Sequence, residues 1–307
     1  MSFRYEEKES AIHKLNPLVK LFWAVSLMVV AIMINHPVFL LALLLSTLPV
    51  VAAGRVWHKW VGLMQMTLCL CLAITLINIL VSYHGSHVLW QANFKIPVLG
   101  YPAITLEAIL FGLGMSLRLL AIISVFAIVT LTVHPDDILQ AMLKVKIPCK
   151  SVLVVSLSTR FLPVLMTDAE RISAVQQSRG LQLERGNLIQ HIKNRTAILI
   201  PLLSNSLDRT VQVAEAMESR AFGSGKTRVF FKPMKLSHLD RLGLALSILA
   251  VITTAVVAWK GWTAYRYYPT FDQFGLNGTE ASVLAILLIL LTSIVPVAWI
   301  AKRRKFD

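Results

Sequence analysis

Six runs of apolar residues, at about 18–35, 37–53, 60–82, 103–133, 240–262 and 281–301, are each long enough to cross a lipid bilayer. A helix needs roughly 20 mostly apolar residues to traverse the hydrocarbon core. Hydrophobic residues make up 56% of the chain and charged residues only 15%, and the mean hydropathy of +0.67 lies well beyond that of a soluble domain. The expected fold is therefore all-α: a polytopic membrane protein with about six transmembrane helices. Only Asn35-His36-Pro37 separates the first two runs, so they form a hairpin. The N-terminal stretch MSFRYEEKESAIHKLNP lacks the h-region and small-residue cleavage site of a signal peptide, so the first run stays in the membrane.

Charge sets the expected orientation. The net charge is +14, and it is unevenly placed. Basic residues precede the first run (Arg4, Lys8, Lys14), lie between the second and third (Arg55, Lys59), crowd the stretch from Pro135 to Lys235, and close the chain at Lys302–Lys305. The alternate loops are nearly bare, with Lys95 in 83–102 and Arg266, flanked by Lys260, in 261–280. The positive-inside rule then puts both termini and the 134–239 segment in the cytoplasm of a multi-pass protein of the cell membrane. Three parts are expected: an N-terminal membrane domain of four spans (1–133), a cytoplasmic domain (134–239), and a C-terminal membrane hairpin with a basic tail (240–307). The positive charge serves topology and anionic lipid heads of the bilayer rather than nucleic acid. The stretch 151–166 is short for a span and is broken by Arg160 and Pro163, so it reads as a buried or interfacial helix that continues into the amphipathic part.

Within the basic segment, Leu162–Gly180 and Ile200–Gly223 resemble edited copies of one another. Pro163 answers to Pro201, Leu165 to Leu203, Glu170-Arg171 to Asp208-Arg209, Val175 to Val213, and Ser178-Arg179-Gly180 to Ser219-Arg220-Ala221. The second copy is longer by three residues, which reads as a sign that the two ends are not interchangeable. Leu165, Ala169, Ile172 and Val175 form one apolar stripe at helical spacing, and Leu203, Leu207, Val211, Ala214 and Met217 form another. Each stripe needs cover from the other helix, the spans or a partner. An arginine just before a glycine is also what a helix C-terminus produces by itself, but its occurrence twice points to a pair of matched docking ends. Arginine's rigid five-donor fork suits carboxylates or carbonyls of another protein. A shorter amphipathic helix is expected at 135–143, with Asp136 and Asp137 in its first turn and Pro148 beyond its end.

Other chemistry is poorly supported. Gly223-Ser224-Gly225-Lys226-Thr227 ends like a phosphate-binding loop, but Arg220 stands where its first glycine belongs and no helix pattern follows, so it reads as a linker. No carboxylate, histidine or cysteine spacing makes a metal site, and Cys69, Cys71 and Cys149 make no disulfide framework. No catalytic residues are expected. Arg118 lies within the fourth run, where a charge is costly and needs a protein partner. It reads either as part of an ion pair inside the bundle or as a contact for a membrane partner; Glu107, three turns away, is too distant to be its partner. Gly112-x-Gly114-x-Ser116 allows close approach of a neighbouring helix.

HKLNPLVKL at 13–21, TVHPDDILQAMLKVKIP at 132–148, RFLPVLMTDAERISAVQQSRG at 160–180 and AMESRAFGSGK at 216–226 together resemble the transmembrane T component of energy-coupling factor (ECF) transporters, the EcfT/CbiQ family of ABC importers. The family's Ala-Arg-Gly-type triads here read Ser-Arg-Gly and Ser-Arg-Ala, and a sixth span with a basic tail extends past where many members end. The resemblance implies a non-catalytic scaffold with a cytoplasmic pair of long amphipathic coupling helices. Two ABC-type ATPase subunits, carrying ATP and Mg, would dock on Ser178, Arg179, Gly180, Ser219, Arg220 and Ala221. Leu165, Ile172, Val175, Leu203, Leu207 and Met217 would pack the coupling helices, and a small membrane S component would select the vitamin or metal ion taken up. The chain itself would bind no cofactor. The competing reading from another class is a polytopic membrane enzyme acting on a phosphorylated lipid through Asp136 or Asp168.

Overall fold

A computed structural model describes residues 10, 12–13, 15–81, 86–91, 103–144, 148–181, 188–224, 237–268, 275 and 278–303. The helices are α1 (Pro17–Met33), α2 (Pro37–Gly54), α3 (Trp57–Val81), α4 (Leu106–Thr132), α5 (Pro135–Lys144), α6 (Cys149–Ser178), α7 (Leu188–Ser219), α8 (His238–Trp259), α9 (Gly278–Thr292) and α10 (Ile294–Arg303). One antiparallel hairpin, β1 (Val88–Gln91) with β2 (Ala103–Thr105), precedes α4 and was not foreseen from sequence; Val88 faces Thr105 and Gln91 faces Ala103. The chain divides into two compact units, Met1–Ile138 with Lys235–Asp307, and Leu139–Met234.

In the first unit, local sequence writes the helix starts. The Asn16 side chain accepts from Leu18 N at 3.1 Å with Pro17 at the first helical position, and His36 Nδ1 accepts from Val38 N at 3.3 Å with Pro37 following. Proline costs nothing there, because that N–H has no helical partner in any case. Val19, Trp23, Leu27 and Val30 of α1 are buried in one cluster with Leu40, Leu43 and Val50 of α2 and Ala121, Val125 and Ile128 of α4. Polar ties thread the apolar packing. Trp23 Nε1 donates to Leu291 O at 3.0 Å, and Ser124 of α4 accepts from Trp60 Nε1 at 2.9 Å while sharing a 2.8 Å hydrogen bond with Thr47.

The small-residue pattern in α4 works mostly as expected. A Cβ at Gly112 would lie 2.9 Å from Thr75 Cγ2 on α3, and Ser116, one turn on, bonds Thr75 Oγ1 at 3.0 Å and donates to Cys71 O at 3.3 Å. Gly112 and Ser116 therefore let α3 and α4 approach closely. Gly114 faces elsewhere, and a Cβ there would run into the hydroxyl of Tyr267. Glu107 is fully buried at the start of α4, accepting from His87 N at 3.0 Å, Ser86 Oγ at 3.0 Å and the His87 ring at 2.8 Å. It ties the residues just before β1 to the positive end of the helix dipole.

Arg118 has no carboxylate partner among the described residues, which corrects the ion-pair expectation. Its Nη2 donates to Ile34 O at 2.7 Å and Asn35 Oδ1 at 2.6 Å, at the C-terminus of α1. Lys20 does the converse. It is 4% exposed and donates to Thr132 O at 2.9 Å, at the C-terminus of α4, and to His13 O at 3.2 Å. The segments Lys20–Ile34 and Arg118–Thr132 are equal in length, about 21 Å of helix each, so the antiparallel pair is fastened at both ends. Each helix supplies a cation to the other's negative end. The α1–α2 turn is thereby drawn to about 18 Å below the start of α4, at 1.5 Å per residue. Tyr267 donates to Asn35 O at 2.9 Å beside it and stacks edge-on with Tyr265 and Phe111.

Among the described residues, six helices are long and apolar enough to cross a membrane: Pro37–Gly54, Trp57–Leu80, Leu106–Thr132, Lys150–Ser178, His238–Trp259 and Gly278–Ile300. Two differ from the sequence expectation. The first run folds into a helix of 17 residues, ending at Met33 ahead of the α1–α2 turn, just short of the other spans. The helix α6 runs unbroken through Pro163 into its amphipathic half, as expected, but over that whole length it is also long and apolar enough to count as a span. The last span is interrupted at Ser293, between α9 and α10.

Replacing Lys20 or Arg118 by Met removes a charge-assisted donor from a helix end and leaves carbonyls unpaired. Each change should destabilise the first unit by about 2 kcal/mol, read as a lower midpoint of thermal or SDS unfolding in micelles. An unchanged midpoint for both variants would contradict the reciprocal fastening.

Candidate functional site: two arginine-capped helices

The second unit is built on α6 and α7. Gln176 Nε2 donates to Ala197 O at 3.5 Å, and Arg209 Nη2 lies 2.9 Å from Asp168 Oδ2. Retreating along α6 from 176 to 168 corresponds to advancing along α7 from 197 to 209, so the helices run antiparallel. Both contain the matched prolines, Pro163 and Pro201.

The two ends close in the same way. At the first, Gly180 N donates to Gln177 O at 2.9 Å and Leu181 N to Gln176 O at 3.0 Å, with Gly180 at φ +90°. At the second, Ala221 N donates to Glu218 O at 2.8 Å and Phe222 N to Met217 O at 2.9 Å, with Ala221 at φ +53°. Each is a complete Schellman motif, which satisfies the last carbonyls through a residue in the left-handed region. The structure thus accounts for both triads locally: serine is the last helical residue, arginine the cap, and glycine or alanine the turn. It also leaves Ser178, Arg179, Gly180, Ser219, Arg220 and Ala221 exposed, and neither guanidinium bonds another described residue. The two motifs are not equal in cost. Glycine adopts the left-handed conformation freely, whereas alanine pays for its Cβ.

The apolar stripes divide. On α6, Leu165, Ala169 and Ile172 are half-buried on the face that carries Asp168 and Gln176, toward α7, while Val175 is exposed. On α7 the expected stripe does not meet α6: Leu203, Leu207 and Val211 are exposed, Leu207 by 65%, and Ala214 is exposed too. The face toward α6 instead carries Ala197, Pro201, Arg209, Val213 and Met217, all half-buried, so only Met217 of that stripe lies there. The physical reason is the ion pair. Arg209 stands two residues from Leu207, about 200° around the helix, and turning Arg209 to Asp168 turns Leu207 outward.

Asp168 is eleven residues before Arg179, and Arg209 is eleven before Arg220. Measured from the ion pair, the two arms have the same length, about 16 Å of helix each, and point in opposite directions. The three extra residues of the second copy therefore make the two arms equal in length, while the caps at their ends still differ in Gly180 against Ala221. Sequence alignment matches Arg209 with Arg171, whereas in space it meets Asp168. Gly225-Lys226-Thr227, the remainder of the phosphate-loop-like stretch, lies outside the described residues.

Ala221→Gly should relieve the left-handed alanine by about 1 kcal/mol, and Gly180→Ala should add a similar cost at the other end. Amide exchange of the last turn of α7 should slow about fivefold in the first variant, and that of α6 should quicken in the second. Equal rates in both variants and the parent chain would show that the two caps carry no difference in strain.

Residues 8–231 match the family model CbiQ, described as cobalt transport protein. The energy-coupling factor transporter transmembrane protein EcfT of Streptococcus thermophilus is 30% identical over 263 residues, covering 83% of this chain and 95% of that protein. EcfT of Streptococcus equi is 31% identical over 255 residues, covering 80% and 92%, and EcfT of Clostridium kluyveri is 29% identical over 247 residues, covering 77% and 88%. The chain therefore belongs to the EcfT/CbiQ family of transporter membrane components, which is not an enzyme family.

Proposed function

We propose that the chain is the scaffold through which two ATPase subunits drive an S component in an ECF-type importer. The observation that carries this reading is the pair of Schellman caps at opposite ends of an antiparallel helix pair, each presenting an exposed arginine. One arginine would dock on each nucleotide-binding domain, with the guanidinium fork set against its carboxylates or backbone carbonyls. ATP and Mg would be held by the ATPases, and the chain would contribute no catalytic group and no cofactor site. The second unit would be the cytoplasmic coupling domain, and both termini would share its side of the cell membrane, as the basic residues favour.

The outward stripe of α7 fits the same scheme. Leu203, Leu207 and Val211, together with Leu199 and Ile200, leave a helix face exposed that water would not favour. A membrane-embedded S component or lipid would cover it. Closure of the ATPases on ATP would then move α6 and α7, and the S component would turn to release a vitamin or metal ion inward. Selection of that cargo rests with the S component, so this chain carries no substrate site.

Reversing both arginines, Arg179→Glu with Arg220→Glu, should abolish co-purification of the ATPases while leaving membrane insertion intact. Each single reversal should cost at least tenfold in yield of the complex, in the range of a truncated interface hot spot. Undiminished recovery of ATPases with the double variant would refute the docking role. Leu207→Asp should leave ATPase recovery intact and lower recovery of the S component.

A further inference from the structure

We propose that the Asp168–Arg209 ion pair is the pin that fixes the register of α6 against α7, and with it the distance between the two arginine caps. The pair is partly sheltered, with Asp168 17% and Arg209 33% exposed, and Arg209 Nη1 is buried without a partner. Around it the face is mostly apolar: Leu165, Ala169 and Ile172 on α6, and Ala197, Val213 and Met217 on α7. Apolar ridges of two helices repeat every turn, so such a face alone accepts a slip of one turn, about 5.4 Å, at small cost. The ion pair does not accept it. One turn toward the start of α6 brings Arg209 to Leu165, and one turn toward the end brings it to Ile172 beside Arg171. The first leaves a sheltered charge among hydrocarbon, and the second adds a like charge. A polar group within an apolar face serves register in this way even where it adds little net stability.

Because the arms on either side of the pin are equal, the caps stand symmetrically about it, about 30 Å apart along the helix direction. Two partners of the same kind would meet them at matched distances, and a slip would lengthen or shorten the whole span. Asp168 and Arg209 are thus positioning residues that act through the caps. The functional part of this inference rests on the proposed ATPase docking, whereas the spacing itself can be measured without any partner.

The measurement uses the full chain in lipid nanodiscs, with spin labels at Ser178→Cys and Ser219→Cys and the three native cysteines replaced. The parent chain should give one narrow distance distribution near 30 Å, and Asp168→Asn should broaden it and add a population displaced by about 5 Å, one helical turn. The charge-swapped double variant, Asp168→Arg with Arg209→Asp, should restore the single distribution. A distribution unchanged by Asp168→Asn, or no restoration in the swapped variant, would overturn the proposal whatever the partners are. In the assembled transporter, Asp168→Asn should lower cargo uptake per ATP hydrolysed at least fivefold with the ATPases still bound, and the swap should recover it. A broadened distance with unchanged uptake per ATP would refute the coupling part alone.

Discussion

Two cations, Lys20 buried and Arg118 half-buried, hold the membrane unit in its frame. Lys20 on α1 donates to the last carbonyl of α4, and Arg118 on α4 donates to the carbonyl that ends α1. In a bilayer each of these groups would be costly alone: the helix-end carbonyls have no helical donor, and the cations have no water. Placed on each other's helix ends they cancel both costs. Because the two fastenings are the same number of residues apart on antiparallel helices, they also fix the sliding register of α1 against α4. The remaining helices are laid on this pair: α2 and α3 against α4 through Thr47, Trp60, Thr75 and Ser116, and α9 against α1 through Trp23.

The second unit uses the same device with side chains on both sides. Asp168 and Arg209 stand at equal distances from the ends of α6 and α7, in a face otherwise filled with Leu165, Ile172, Val213 and Met217. Hydrophobic burial brings the helices together and the ion pair chooses among the registers that burial permits. The same choice decides which side of α7 is left over. With Arg209 turned inward, Leu203, Leu207 and Val211 face out, so an intramolecular charge pair creates the apolar surface available to a partner.

What the sequence made legible follows from the range of each signal. Five of the six spans, all but α6 with Arg160 and Pro163 within its apolar half, were legible because length and composition are properties of a segment alone. So were the starts of α1 and α2, written by Asn16-Pro17 and His36-Pro37, and the end of α6, announced by Gly180. The end of α7 was harder, since alanine gives no sign of a left-handed turn, and only its likeness to the first copy pointed there. Partners of Arg118 were not legible, because backbone carbonyls of Ile34 carry no residue signature. Lys20 was passed over inside an apolar run. Which side of α7 meets α6 was not legible, because periodicity marks the stripe of Leu203, Leu207 and Val211 without saying what covers it, while the deciding contact joins residues 41 apart in the chain. The β-hairpin before α4 was hidden in a loop with no alternation strong enough to mark it.

The proposed function requires both capped ends to meet nucleotide-binding partners at the membrane. Photo-cross-linking from a benzophenone amino acid placed at Ser178 or at Ser219, in native membranes holding the complete transporter, addresses this directly. Each position should yield an adduct between this chain and a P-loop ATPase, identified by mass spectrometry of the joined peptides. Adducts from both positions that contain only lipid or proteins other than ATPases, in membranes where the ATPases are present, would contradict it.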